Sequence, residues 1–171
     1  MFRVSLADLR PSGSLRVEHE ITASDPLWAS GEAVVGGPAR VELDVTRTAT
    51  GQILATGVLS APLVHTCRRC LDHVDRFLQL PIDLRWSAPD ALSDDQGGDA
   101  ERRVLEPGVN EMDMGEAIRE ELMLAAPRYV LCREDCRGLC PRCGTNRNEE
   151  PCECVTDEPD PRWDALRTLN R

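Results

Sequence analysis

The chain contains no lysine: all 20 basic residues are arginines, set against 30 acids for a formal net charge of −10. Binding to nucleic acid rests largely on neutralising phosphates, so this balance argues against a protein held on RNA or DNA by bulk charge. It suits a basic partner better, such as a ribosomal protein. Aromatic residues make up only 4% of the 171-residue chain, so its core must be mostly aliphatic. No apolar run approaches the roughly 20 residues of a membrane helix, and Met1–Arg10 lacks the basic-then-apolar layout of a secretory leader. The expectation is a cytoplasmic protein with no membrane partner. Catalytic signatures are also missing. There is no glycine-rich phosphate loop, no Gly-x-Ser-x-Gly elbow and no His-Glu-x-x-His, which points away from an enzyme and from a small-molecule substrate.

What the chain does have is eight cysteines, in four close pairs: 67/70, 132/136, 140/143 and 152/154. A reducing compartment disfavours disulfides, so metal binding or thiol chemistry is the expected use. Eight thiolates suffice for two tetrahedral zinc sites. Cys140-Pro-Arg-Cys143-Gly144 has the form of a zinc knuckle. Its spacing lets both sulfurs reach one ion at about 2.3 Å, the turn directs backbone N–H groups at them, and Gly144 permits the left-handed conformation such turns require. Cys152-Glu-Cys154 lies within reach of the same ion. Four thiols in so polar a stretch do not read as ordinary core cysteines. Cys67-Arg-Arg-Cys70 repeats the spacing, and Cys132 and Cys136 are its natural partners for a second zinc. Two alternatives stay open: Cys136 completing the later site, or Cys67 and Cys70 acting as a redox dithiol. His65 and His73 flank the first pair without a defined role. Arg68, Arg69, Arg137, Arg142 and Arg147 cluster near the cysteines, where they can offset thiolate charge or contact RNA or a protein partner.

The periodicity predicts an α+β fold: a mostly antiparallel β-sheet or small barrel, one long helix and a C-terminal zinc knuckle. Leu15–Thr22 and Ala39–Thr46 alternate apolar and polar residues, and Val74–Trp86 does so with Phe77 out of phase. Gln52–Ser60 reads as a further strand. Gly36-Gly37-Pro38, Thr50-Gly51 and Ala61-Pro62 read as turns. Residues 1–110 form the predicted β domain, interrupted by a polar, flexible loop near 88–100. Residues 111–131 carry a connecting helix, with Asp113 and Glu116 as a capping box. Met114, Ala117, Ile118, Leu122 and Ala125 share its apolar face. Residues 132–171 form the knuckle segment and a short helix from Asp160, with Trp163, Leu166 and Leu169 aligned.

Several of these stretches together resemble one family. Cys67-Arg-Arg-Cys70-Leu71, following an Ala-Pro-Leu strand end, resembles the Cys-x-Arg-Cys signature of the YceD family. Asp113–Pro127 resembles that family's helix, Cys132–Gly144 the knuckle version found in some branches, and Asp160-Pro-Arg-Trp163 its closing motif. The likeness runs from Val4 to Leu169. It implies a non-enzymatic role in accumulation of large-subunit ribosomal RNA, with that RNA or a basic large-subunit ribosomal protein as partner. Branches without the later knuckle imply that zinc there is not required for the family's common activity. Cys152-Glu-Cys154 stands where related sequences carry histidine-containing pairs.

Overall fold

The computed structural model describes residues 2–9, 13–29, 34–89, 102–154 and Arg162. Most of the predicted 88–100 loop, and the predicted C-terminal helix with Trp163, Leu166 and Leu169, lie outside these residues. The chain divides into two compact units: Met1–His65 with Asp75–Arg128, and Thr66–Val74 with Tyr129–Arg171.

The first unit holds the strands β1 (Arg3–Ser5), β2 (Ser14–Ile21), β3 (Val34–Val35), β4 (Ala39–Arg47), β7 (Arg102–Val104) and β8 (Glu111–Asp113). It also holds most of β5 (Ile53–Thr66) and β6 (His73–Ser87), and the helix α1 (Gly115–Ala125). The main sheet is open, ordered β2-β4-β5-β6-β7 with β3 added to β5, and β1 pairs with β8 in a separate two-stranded sheet. Among the described residues, no barrel closes. The β2–β4, β4–β5, β3–β5 and β1–β8 pairs are antiparallel; β6–β7 is parallel.

The period-two pattern explains the core. Ala39, Val41, Leu43 and Val45 of β4 are at most 1% exposed, while the residues between them face away from the core. Ile53, Ala55, Leu59, Ala61 and Leu63 of β5 continue that buried face. Gly57 falls in the same phase opposite Leu43, and a Cβ there would stand 2.0 Å from the Glu42 carbonyl oxygen. Phe77 lies outward at 67% exposure, as its phase predicts.

Two sequence expectations are corrected. Ala61-Pro62 is not a turn: β5 runs through it to Thr66. Proline is accommodated because β5 changes partner there, pairing with β4 as far as Ser60 and with β3 at Leu63 and Val64. Pro62 lies between the last β4 pair and the first β3 pair, and its carbonyl accepts from the Gly36 N–H at 2.9 Å. The capping box also does not form. The helix begins after Met114, Asp113 Oδ1 instead accepts from the Gly115 N–H at 2.9 Å, and Glu116 pairs with Arg119 one turn on. The apolar helix face does pack inward: Ala117, Ile118 and Leu122 join the strand residues in one core, with Met114 beside them. Ala126 ends the helix in an extended conformation, which Pro127 imposes on the residue before it.

Candidate metal centre

Among the described residues, the second unit has little apolar core of its own. Its buried cluster is Cys67, Cys70, Val74, Val130 and Cys136, with Leu131 and Cys132 against it. Its order instead comes from turns, and two of these are copies of one design. In Cys67-Arg-Arg-Cys70-Leu71, the Leu71 N–H bonds the Cys67 carbonyl at 2.9 Å and the Cys67 N–H bonds the Asp72 carbonyl at 2.8 Å. In Cys140-Pro-Arg-Cys143-Gly144, the Gly144 N–H bonds the Cys140 carbonyl at 2.9 Å and the Cys140 N–H bonds the Thr145 carbonyl at 2.8 Å. The residue after the second cysteine is left-handed in both, at φ 76° for Gly144 and 65° for Leu71. A leucine in that region is strained, so the turn is held by what surrounds it. The repeated Cys-x-x-Cys spacing is visible in the sequence, but nothing there marks Leu71 as left-handed, because glycine is the usual signal.

The structure gathers the eight thiols into two groups, Cys67/Cys70/Cys132/Cys136 and Cys140/Cys143/Cys152/Cys154, each with its sulfurs within 4.8 Å of one another. Within the first, Cys67 Sγ lies 3.8 Å from Cys136 Sγ and Cys70 Sγ 3.5 Å from Cys132 Sγ. A tetrahedral ion with bonds of about 2.3 Å sets its sulfurs about 3.8 Å apart, so the spacing and the donor type fit a four-thiolate metal site. Cys136 stands in the first group and not the second. The Cys67–Cys70 turn lies between two strands and does not open a helix.

Electrostatics divides each tetrad in the same way. Burial raises the Cys67 thiol, but backbone N–H groups of Cys70, Arg69 and Cys132 outweigh it and bring it down to about 6. The N–H groups of Cys143 and Arg142 bring Cys140 to about 6 in the same manner. Cys136 is lowered against its burial by the Asn148 side chain and the Gly138 N–H, and Cys143 is lowered by Thr145. The other four are held up. Burial and an S–H bond to Asp72 Oδ2 at 3.0 Å raise Cys70, and burial raises Cys132. Hydrogen bonding to Cys140 raises Cys152, and to Cys143 takes Cys154 to about 12. Each tetrad therefore combines two thiols lowered toward ionisation with two raised ones whose protons a dication would displace.

The five arginines singled out from sequence are all exposed. Arg68 lies 4.1 Å over the ring of Tyr129, and its N–H bonds the Val130 carbonyl. Arg69 serves the fold of the unit: Nη1 donates to the Cys136 carbonyl at 2.9 Å, and its own carbonyl accepts from the Leu139 N–H at 2.8 Å. Arg137, Arg142 and Arg147 contribute backbone N–H groups, to Asn148 Oδ1, to Cys140 and to the Gly138 carbonyl. Sequence reasoning missed Asp72, Asn146 and Asn148. Asn146 donates to both Asp72 oxygens at 3.4 Å, and Asn148 Nδ2 donates to Cys136 Sγ at 3.3 Å. They stand in or opposite a polar spacer whose composition carries no such signal.

A sheet unit joined to a small unit assembled around two cysteine tetrads defines a protein whose second unit can hold metal. The pattern of the family described as "Large ribosomal RNA subunit accumulation protein YceD" matches residues 55–170, and the chain belongs to that family. An uncharacterized protein of Mycobacterium tuberculosis is 32% identical over 130 residues, which cover 75% of this chain and 61% of the relative. The large ribosomal RNA subunit accumulation protein YCED homolog 1, chloroplastic, of Arabidopsis thaliana is 25% identical, over 78% of this chain and 49% of its own length. The protein of the same description from Zea mays is 27% identical, over 89% and 60%. The chain thus spans about three-fifths of the mycobacterial relative's length. No solved structure matches it. Among the described residues, no helix is long and apolar enough to cross a membrane.

Proposed function

We propose that the protein is a non-enzymatic ribosome-biogenesis factor that supports accumulation of large-subunit ribosomal RNA, with one structural zinc in each cysteine tetrad. Family membership over residues 55–170 supports the ribosomal role. The observation that carries the metal reading is the pair of matched knuckle turns, each delivering two cysteines to a tetrad. Cys67, Cys70, Cys132 and Cys136 would hold one ion; Cys140, Cys143, Cys152 and Cys154 the other. Four thiolates leave a zinc ion no open position, so its contribution is folding free energy and not Lewis-acid chemistry. The ordered unit would then present Arg68, Arg69, Arg137, Arg142 and Arg147 to the RNA or to a basic ribosomal protein, in the cytoplasm.

The test has two arms. Metal analysis of the purified chain gives two zinc ions per molecule. In cells lacking the protein, large-subunit ribosomal RNA falls relative to small-subunit RNA, and the wild-type chain restores the ratio. An unchanged ratio refutes the ribosomal role. Metal-free protein with a Cys67–Cys70 disulfide under reducing conditions supports the redox reading instead. That reading draws on the unequal thiols of this pair, one lowered and one raised.

A further inference from the structure

The spacer between Cys143 and Cys152 closes the second tetrad, yet its side chains serve the first. Asn148 is half-buried and uses its whole hydrogen-bonding capacity there. Nδ2 donates to Cys136 Sγ at 3.3 Å and to Asn146 Oδ1 at 2.8 Å; Oδ1 accepts from the Arg137 N–H at 2.8 Å and from Arg133 Nη2 at 2.9 Å. The opposite orientation of the amide would face two donors with a donor and a sulfur with an oxygen, so the geometry fixes it. Asn146 extends the link, holding Asn148 through Oδ1 and reaching Asp72, two residues beyond Cys70, through Nδ2. The spacer also pairs back on the segment between the tetrads: Leu139 and Asn146 form a β-bridge, and the Arg147 N–H bonds the Gly138 carbonyl.

We propose that the two tetrads fill with metal cooperatively and that Asn148 is the positioning residue that couples them. The inference rests on the zinc reading above. Closing the second tetrad fixes both ends of the spacer and so holds the Asn148 amide on the Cys136 sulfur. An open second tetrad frees the spacer, and the first loses a hydrogen-bond donor to its ligand. Such outer partners typically govern about 10- to 100-fold in metal affinity. Coupling is reciprocal, so filling the first tetrad strengthens the second by the same factor.

The experiment uses the full, reduced, metal-free chain titrated with zinc against a chromophoric chelator, and with cobalt(II) to read the thiolate charge-transfer bands. Disabling the second tetrad with Cys143→Ser and Cys154→Ser together weakens zinc at the first by about 10- to 100-fold. In an Asn148→Ala background the same pair of substitutions has little further effect on the first site, as a double-mutant cycle requires of a residue that carries the coupling. Asn148→Asp, the same shape with an acceptor turned toward Cys136, also abolishes the coupling and shifts the cobalt bands of the first site. It keeps the measurement decisive if Asn148→Ala fails to fold. Equal first-site affinity with and without the second tetrad, or coupling that survives both Asn148 substitutions, overturns the proposal. Two zinc ions bound independently would do so while leaving the zinc reading intact; no zinc bound at all would remove that reading too.

Discussion

Removing metal is predicted to dismantle the second unit and leave the first standing. Among the described residues of the second unit, the buried hydrophobic side chains apart from cysteines are Val74 and Val130, at 7% and 6% exposure. Burying a valine contributes about 1.5–3 kcal/mol, so the two together contribute about 3–6 kcal/mol. Fixing one residue's backbone costs about 1–2 kcal/mol, so the valines offset the ordering of only a few residues. Structural zinc in small peptides contributes about 10–16 kcal/mol per site, so on the zinc reading metal would stabilise this unit more than these two valines do. The missing lysines provide the assay, because trypsin can then cut only after arginine. With zinc bound, Arg133, Arg137, Arg142 and Arg147 lie within the ordered tetrad segments. Cleavage tracks the open population, and each 1.4 kcal/mol is tenfold. Even about 3 kcal/mol of stabilisation by metal therefore slows cutting about 100-fold. On adding a strong chelator, peptides ending at these four arginines should appear rapidly, while Arg40, Arg47 and Arg85 in the sheet stay protected. Equal resistance of the Arg133–Arg147 stretch with and without chelator would refute the reasoning.

The two left-handed glycines of the second unit separate backbone strain from steric fit. Gly144→Ala adds a Cβ to open space at φ 76° and should cost about 1–2 kcal/mol with both metals retained; Gly138→Ala at φ 71° also drives a Cβ to 2.8 Å from the Arg69 carbonyl oxygen and should weaken zinc binding more, by chelator competition. In the sheet unit, Leu43→Ala at a position 1% exposed should lower stability by about 2–5 kcal/mol, read as a lower urea midpoint at unchanged slope. Zinc affinity should rise with pH. Cys70 and Cys132 in one tetrad and Cys152 and Cys154 in the other have raised pKa values and carry protons at neutral pH, so binding expels them, about two or more per site. Calorimetry in buffers of different ionisation enthalpy counts the protons, and a count of zero would contradict the thiol assignments.

Much of the first unit was legible because burial on one sheet face imposes a period of two. Ala39–Thr46 and Leu78–Trp86 display it openly. The three-residue strands β1, β7 and β8 were not legible, since three residues cannot show a period. Pro62 misled for a related reason: proline signals a chain break, and only the partner switch between β4 and β3 made it compatible with a strand. At the candidate metal centre, the cysteine spacing announced the two turns, because two intervening residues let a local turn bring both thiols to one side.

The sequence by itself determined that eight cysteines fall in four close pairs, that the core is mostly aliphatic and that acids outnumber bases. These follow from residue identity and local spacing. Only the tertiary structure decided that Cys136 joins Cys67 and not Cys140, that Leu71 repeats the role of Gly144, and that Asn148 reaches the Cys136 sulfur. Each of those facts concerns atoms distant along the chain or a backbone angle its residue does not prefer, and such relations are fixed by how segments pack, not by the residues read one after another.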